Sequence, residues 1–219
     1  MITRIALIAG LVSLASVATA EEMVPLKTEL PKPMFVGTPK PVNLPNLEKP
    51  RTGKRPDFMV PAGTVNLALN KPVTASDEFP VIGELEFITD GEKEGGDGYF
   101  VELGPDLQWV QIDLEEPAKI YAILVWHYHL SPRAYHDVVV QVADDAEFTQ
   151  NVRTVFNNDH DNSSGLGRGS DPAYIESYEG RLIPVDGEVA RFVRLYSRGN
   201  TSDSMNHYVE VEVFGKPAS

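Results

Sequence analysis

Gln108–His129, QWVQIDLEEPAKIYAILVWHYH, constrains this chain more than any other stretch. Two apolar-patterned runs, Trp109–Leu114 and Ile120–Tyr128, flank the polar connection Glu115–Ala118. In the first run Val110, Ile112 and Leu114 fall on one side of an extended chain, Gln111 and Asp113 on the other. The second run is apolar on both sides, with Ala122, Leu124, Trp126 and Tyr128 opposite Ile123 and Val125, the pattern of a strand covered on both faces. Beyond it the sequence turns polar at once: His127, His129, Ser131, Pro132, Arg133, Tyr135 and His136. A buried strand ending this way delivers His, Tyr and Arg side chains to one rim of the fold.

The rest of the chain supports an all-β reading. Asn66–Ser76 is an alternating segment restricted by Pro72 to an edge or a strand entry. Val138–Val142, Thr154–Phe156, Arg181–Val185, Phe192–Tyr196 and Tyr208–Phe214 read as strands, the last with clean period-2 alternation. No window has a helical period of useful length. Ile88–Phe100, with four glycines among carboxylates and lysine, and Asn157–Asp171 read as irregular loops. About eight short strands separated by turn signals predict a β-sandwich or barrel.

Three segments differ in composition. Residues 1–20 have the form of a secretory signal: Arg4, the apolar run Ile5–Leu14, and Ala18-Thr19-Ala20 as a cleavage site. The apolar run is short for a transmembrane anchor, so no membrane span is expected after cleavage. Residues 21–63 hold nine of the 17 prolines and read as a semi-rigid tether or a disordered arm, with too few apolar residues for a core. Residues 64–219 form one domain carrying 27 Asp/Glu against 11 Lys/Arg. Such a surface repels nucleic acid and anionic lipid and attracts divalent cations. The absence of cysteine excludes disulfides and thiol chemistry. An exported protein without disulfides fits a bacterial origin and a periplasmic or secreted location, which makes the sequons at Asn162 and Asn200 coincidental.

The opening NLALNKPVTAS, the Thr89-Asp90-Gly91 turn, QWVQIDL, VVVQVADD, ARFVRLYS and the closing VEVEVFG occur in an order that resembles the discoidin, or coagulation factor 5/8 type C, family. That family overlaps the galactose-binding carbohydrate-binding modules, and the resemblance covers about residues 64–217. It implies a galactose-binding-domain-like jelly-roll β-sandwich. The missing terminal disulfide points to the bacterial carbohydrate-binding branch. The resemblance also implies a structural calcium ion held by the side chains of Asp90 and Glu210 and the carbonyls of Phe87, Glu92 and Val209. Asp97 is added from the residues themselves, because the usual Thr/Ser ligand is disrupted. Calcium takes six to eight hard oxygens, which a Gly-rich acidic loop can supply.

For ligand binding, the resemblance matches Arg133 to an arginine that reaches ring hydroxyls, and Glu78 to an acceptor. A guanidinium fork can grip two adjacent hydroxyls. Tyr135, or Tyr99, offers an aromatic platform, and His127, His129, Asn206 and His207 complete the expected rim. The expected function is non-catalytic recognition of a glycan or cell-surface polysaccharide. Two alternatives stand beside it. One is an adhesion module that grips a protein partner through the same loops, favoured by exposed apolar loop tips. The other is a metalloenzyme in which His127, His129 and His136, with His207 or Asp137, hold zinc or copper. Asn157–Asp171 fails as an EF-hand, lacking Gly at the sixth and Glu at the twelfth position.

Overall fold

The computed structural model describes residues 21–35, 41–49 and 51–218, so the signal-like run Ile5–Leu14 and the Ala18–Ala20 motif lie outside the described residues. Two long strands carry the architecture: β6 (Gln108–Trp126) and β9 (Arg181–Ser197). They pair antiparallel from Gln108↔Ser197 to Val125↔Arg181, with register shifts between Asp113 and Ala118 and between Ile120 and Ala122. The two runs expected around Glu115–Ala118 are therefore halves of one bent strand, and the same holds for Arg181–Val185 and Phe192–Tyr196. The bend has a local cause. Glu115 sits at φ +69°, Pro117 has no N–H to donate, and residues 115–117 are exposed. At the second shift, Gly187 turns at φ +70° against Lys119 and Tyr121.

Each half of the bent pair seeds its own layer. The 108–113 half pairs with β4 (Val73–Ala75), while the matching part of β9 pairs with β7 (Val139–Ala143), which in turn pairs with β8 (Arg153–Asn157). The 118–126 half pairs with β11 (Glu210–Pro217), flanked by β3 (Val65–Asn66). β5 (Val101–Leu103) and β10 (Asn206–Tyr208) form a separate two-stranded edge. Val110, Ile112, Val140, Val193 and Leu195 from one layer meet Ile123, Val125, Ile183, Val211 and Val213 from the other in one buried cluster. Burying side chains of this size contributes about 1.5–3 kcal/mol each. The chain is thus an antiparallel sandwich, with one 3₁₀ turn at Leu85–Thr89.

The outer side of the second layer departs from the sequence reading. Ala122, Leu124, Trp126 and Phe214 form a second apolar cluster, and Leu26, Leu30 and Phe58 of the Pro-rich segment pack on it. β1 (Met23–Pro25) pairs with β2 (Met59–Pro61), fixing both ends of that segment. Arg51 pairs with Glu179, and the Arg55 guanidinium donates to the carbonyls of Glu179 (2.9 Å) and Gly180 (3.1 Å). The described parts of 21–63 are therefore a strap laid on the sandwich, not a free tether. The few apolar residues suffice because they add to a face that β6 already presents.

Trp126 anchors the junction of strap, strand and loop: its indole N–H donates to the Tyr178 carbonyl at 3.0 Å. Gly180, at φ +65°, lies so close that a Cβ would sit 2.6 Å from the indole ring. Gly180→Ala is expected to destabilise by about 2–4 kcal/mol and lower the melting temperature by roughly 5–15 °C. Gly165→Ala, at φ +77° with open space around it, should cost only about 1 kcal/mol. Thermal denaturation followed by circular dichroism compares the two. Equal losses would show that backbone strain, not contact with Trp126, fixes Gly180.

Candidate functional site

β6 ends where the sequence predicted a polar rim, but most of the predicted side chains turn inward. His127 is fully buried; its Nδ1–H donates to Glu176 Oε1 at 2.7 Å, and its ring stacks on Tyr135 with centroids 4.3 Å apart. The Tyr135 hydroxyl reaches His207 Nδ1 at 2.9 Å, and His207 Nε2 meets Glu102 Oε2 at 3.0 Å. Burial lowers the His207 pKa against the pull of Asp203 and Glu102. The neutral ring then donates to Glu102 and accepts from Tyr135. His129 donates from Nε2 to the Lys93 carbonyl at 2.7 Å. Asn206, also fully buried, accepts from Ser197 Oγ and the Gly199 N–H, both at 2.8 Å, and donates to the Gly104 and Asp106 carbonyls.

His127, His129, Tyr135, Asn206 and His207 are thus wall residues that set the rim loops, and they do not form its surface. The pairing of β10 with β5 draws Asn206–Tyr208 under the edge, which spacing along the chain does not reveal. The three-histidine metal reading is not assembled either. Among the described residues, no group of three or more His, Asp or Glu ligand atoms within 4.8 Å of one another includes a histidine.

Arg133 reaches the rim, yet both of its terminal nitrogens are engaged by protein, while its buried Nε has no partner among the described residues. Nη2 donates to Ser131 Oγ at 2.8 Å, Nη1 to Asp203 at 3.3 Å, and the guanidinium stacks 4.6 Å over Tyr128. It braces two rim loops against each other. Glu78 is exposed on the Asp77–Gly83 loop beside Phe79, which is 83% exposed, and Val81, 60% exposed. Sequence reasoning passed over Phe79; an aromatic between Glu78 and Pro80 in a turn with no apolar partner was the available signal.

What opens to solvent at this rim is a cleft of about 640 Å³ lined by Ser131, Pro132, His136 and Asn200–Ser202 on the sandwich side. A smaller cleft of about 360 Å³, which shares His136 and Asn200, continues past Asp203 and Ser204. Asn200 shapes the loop between them: its Nδ2 donates to Asp203 Oδ1 (2.6 Å) and the Met205 carbonyl (2.9 Å). On this side the surface groups are hydroxyls and one imidazole, suited to exchanging hydrogen bonds with a polar ligand, while the Asn200 amide is buried and engaged within its own loop.

The acidic loop lies elsewhere, where Asp90-Gly91 meets β11. Glu210 is fully buried; its Oε2 accepts the Gly91 N–H at 3.1 Å and Oε1 has no partner. Burial pushes its carboxyl up to about 9. Next to it, Glu212 Oε1 pairs with the Lys93 ammonium at 2.9 Å. Asp90 accepts from the Tyr99 hydroxyl (2.6 Å) and the Glu92 N–H (2.8 Å). Glu210 therefore lies against the Asp90–Glu92 turn, with Phe87 on the 3₁₀ turn and Val209 between β10 and β11, but the carboxylates of Asp90, Glu92 and Glu210 do not gather within 4.8 Å of one another. Asp97 is exposed at φ +52° and joins no such cluster. The one cluster that satisfies the 4.8 Å spacing among the described residues is Asp137, Asp159 and Asp161. There Asp159 Oδ2 already accepts from Ser164 N–H (2.9 Å) and Oγ (2.5 Å), and Asp137 Oδ2 from Ser163 Oγ.

No protein-family model matches the sequence, and no curated protein matches it. Solved structures do resemble the fold. A family 89 glycoside hydrolase from Clostridium perfringens, in complex with its substrate GlcNAc-alpha-1,4-galactose, is 17% identical with a TM-score of 0.52; the match covers 70% of this chain and 15% of that one. A truncated AlyQ with CBM32 and alginate lyase domains is 17% identical with a TM-score of 0.51, over 71% of this chain and 35% of that one. This chain thus corresponds to a minor part of either protein. The likeness, together with the antiparallel layers, shows the galactose-binding-like β-sandwich.

Glu210 makes stability depend on pH. Its folded pKa lies above the unfolded carboxylate value, so the neutral carboxyl stabilises the fold below about 4.5, and this contribution fades as pH rises towards 9. Metal-free protein should lose up to about 1.4 kcal/mol per pH unit across that window. Glu210→Gln should flatten the slope. Urea denaturation of both proteins at several pH values measures it, and parallel slopes would show that Glu210 titrates normally.

Proposed function

We propose that this chain is an exported, non-catalytic glycan-binding module that holds its ligand in the rim cleft and is stabilised by calcium at the Asp90 loop. The observation that carries the reading is the cleft lined by Ser131, Pro132, His136 and Asn200–Ser202. Hydroxyl and imidazole groups can both donate to and accept from sugar hydroxyls, while Pro132 offers an apolar contact. The wall behind the cleft is pre-set: Arg133 ties Ser131 to Asp203, Glu176 holds His127, His127 stacks on Tyr135, and Tyr135 and Glu102 hold His207. A pre-set rim spares the ligand the cost of ordering loops. Fold likeness to chains that contain a carbohydrate-binding module supports the same reading. Export rests on residues 1–20.

His136→Ala should weaken binding of a glycan selected by array at least tenfold, about 1.4 kcal/mol, with little change in melting temperature because the side chain is half-exposed. Calorimetric titration checks this, and unchanged affinity places the ligand elsewhere. Arg133→Ala should lower both affinity and melting temperature, since the side chain braces two loops.

Calcium suits the residues present. Glu210 Oε1 is buried without a partner, while Lys93 is engaged by Glu212. Asp90 and Glu210, with carbonyls of Phe87, Glu92 and Val209, would hold the ion, whose charge would allow Glu210 to ionise in place. At about 100 times its dissociation constant, calcium should add about 2.7 kcal/mol of stability. Glu210→Gln should abolish the gain. Equal melting curves in EDTA and millimolar calcium for verified metal-free protein would remove calcium from the proposal.

Phe79 and Val81 favour a second reading, adhesion to a protein partner through the Asp77–Gly83 loop. An array with no glycan bound, together with a pull-down lost in Phe79→Ser, would select it.

A further inference from the structure

The rim cleft has two sides, and the second comes from the Pro-rich strap. Pro41, Val42, Asn43 and Leu44 line it opposite Ser131, Pro132, His136 and Asn200–Ser202. This strap segment is held from its return leg. Asn46 Nδ2 donates to the Asn158 carbonyl (2.8 Å), the Glu48 N–H donates to the Ala173 carbonyl (2.8 Å), and the Glu48 carboxylate pairs with Arg181 at 2.8 Å. Val42 and Leu44 are half-buried while Pro41 and Asn43 are exposed, the alternation of an extended chain with one face on the domain.

The composition of the cleft narrows its ligand. None of its ten lining residues is Lys, Arg, Asp or Glu, on a chain of net charge −13. Asp203, which borders the adjoining cleft, already accepts from both Arg133 and Asn200. An ionised ligand group placed against these ten residues would lose water without gaining a formal counter-charge from them, which is costly. Pro41, Val42, Leu44 and Pro132 present apolar surface, whereas Ser131, Thr201 and Ser202 present hydroxyls. A pyranose has the matching pair of faces, one of C–H bonds and one edge of hydroxyls.

We propose that Pro41–Leu44 forms the second wall of the binding site and that the composite cleft takes a neutral pyranose in preference to a uronic acid or an amino sugar. The proposal rests on the glycan-binding reading and specifies its ligand class. It also gives the strap a role in recognition.

The test uses the full chain against neutral, uronate and glucosamine oligosaccharides, with Val42→Asp and Asn43→Lys as variants and melting curves for each. Wild-type protein should bind the neutral set at least tenfold more tightly than either charged set. Val42→Asp should weaken neutral binding at least tenfold. Asn43→Lys changes an exposed residue, so it should leave the melting temperature unchanged while raising uronate binding threefold or more. Wild-type preference for a charged set overturns the ligand class. Neutral binding that both variants leave unchanged in affinity and selectivity overturns the role of the strap while the glycan reading stands. A wild-type chain that binds no glycan overturns that reading and this proposal together.

Discussion

The sandwich depends on one strand that is apolar on both faces. β6 sends Ile123 and Val125 into the central core and Ala122, Leu124 and Trp126 to the opposite side, and both sets are buried. A strand of this kind cannot lie at a free surface, because its outer face would expose a contiguous apolar patch. Something in the chain has to cover it, and the strap does so with Leu26, Leu30 and Phe58. The bend at Glu115–Pro117 then lets the same strand serve both layers, so one pairing with β9 sets the register of the whole sandwich.

This arrangement also fixes the polar interior. Trp126 closes the strand, and the residues after it pass into a region packed from several sides: Glu176 from one loop, Tyr135 from another, His207 and Glu102 from the edge pair. Buried donors and acceptors call for partners, and here His127, His129 and His207 each find at least one, leaving His127 Nε2 and His129 Nδ1 without. The result is a rigid wall beneath the rim loops. Arg133 extends that wall to the surface by stacking on Tyr128 and pairing with Asp203. The groups left to meet a ligand are smaller and less charged than the sequence suggests: hydroxyls, the Asn43 amide, His136 and prolines.

The acidic loop and the rim are separate consequences of the same closure. β11 returns alongside β6 and brings Glu210 beneath the Gly91 amide, while Glu212 two residues on takes the Lys93 ammonium. Two carboxylates two residues apart on one strand share a face, so burial would place like charges together. The lysine resolves this for Glu212 only. Glu210 is left with one oxygen unpartnered, and its charge state is set by its surroundings.

The sequence alone determined the β class, the positions of most strands and the two-sided burial of Ile120–Trp126, because period-2 alternation is written residue by residue. It also named Asp90 and Glu210 as calcium partners by resemblance, and in the fold Glu210 accepts the amide of Gly91, next to Asp90. Tertiary structure decided the rest. His127 and His129 carry the same residue type that a ligand site would use, and only packing by Glu176, Tyr135 and Lys93 shows them committed to the interior. Strand periodicity says which side a residue takes, not whether another segment covers that side. For the same reason residues 21–63 read as a tether: their prolines and sparse apolar residues cannot build a core alone. They need only complete one, and the face they complete belongs to a strand about eighty residues away. That long-range pairing, which local pattern cannot encode, turned a linker into a strap and gave the rim cleft its second wall.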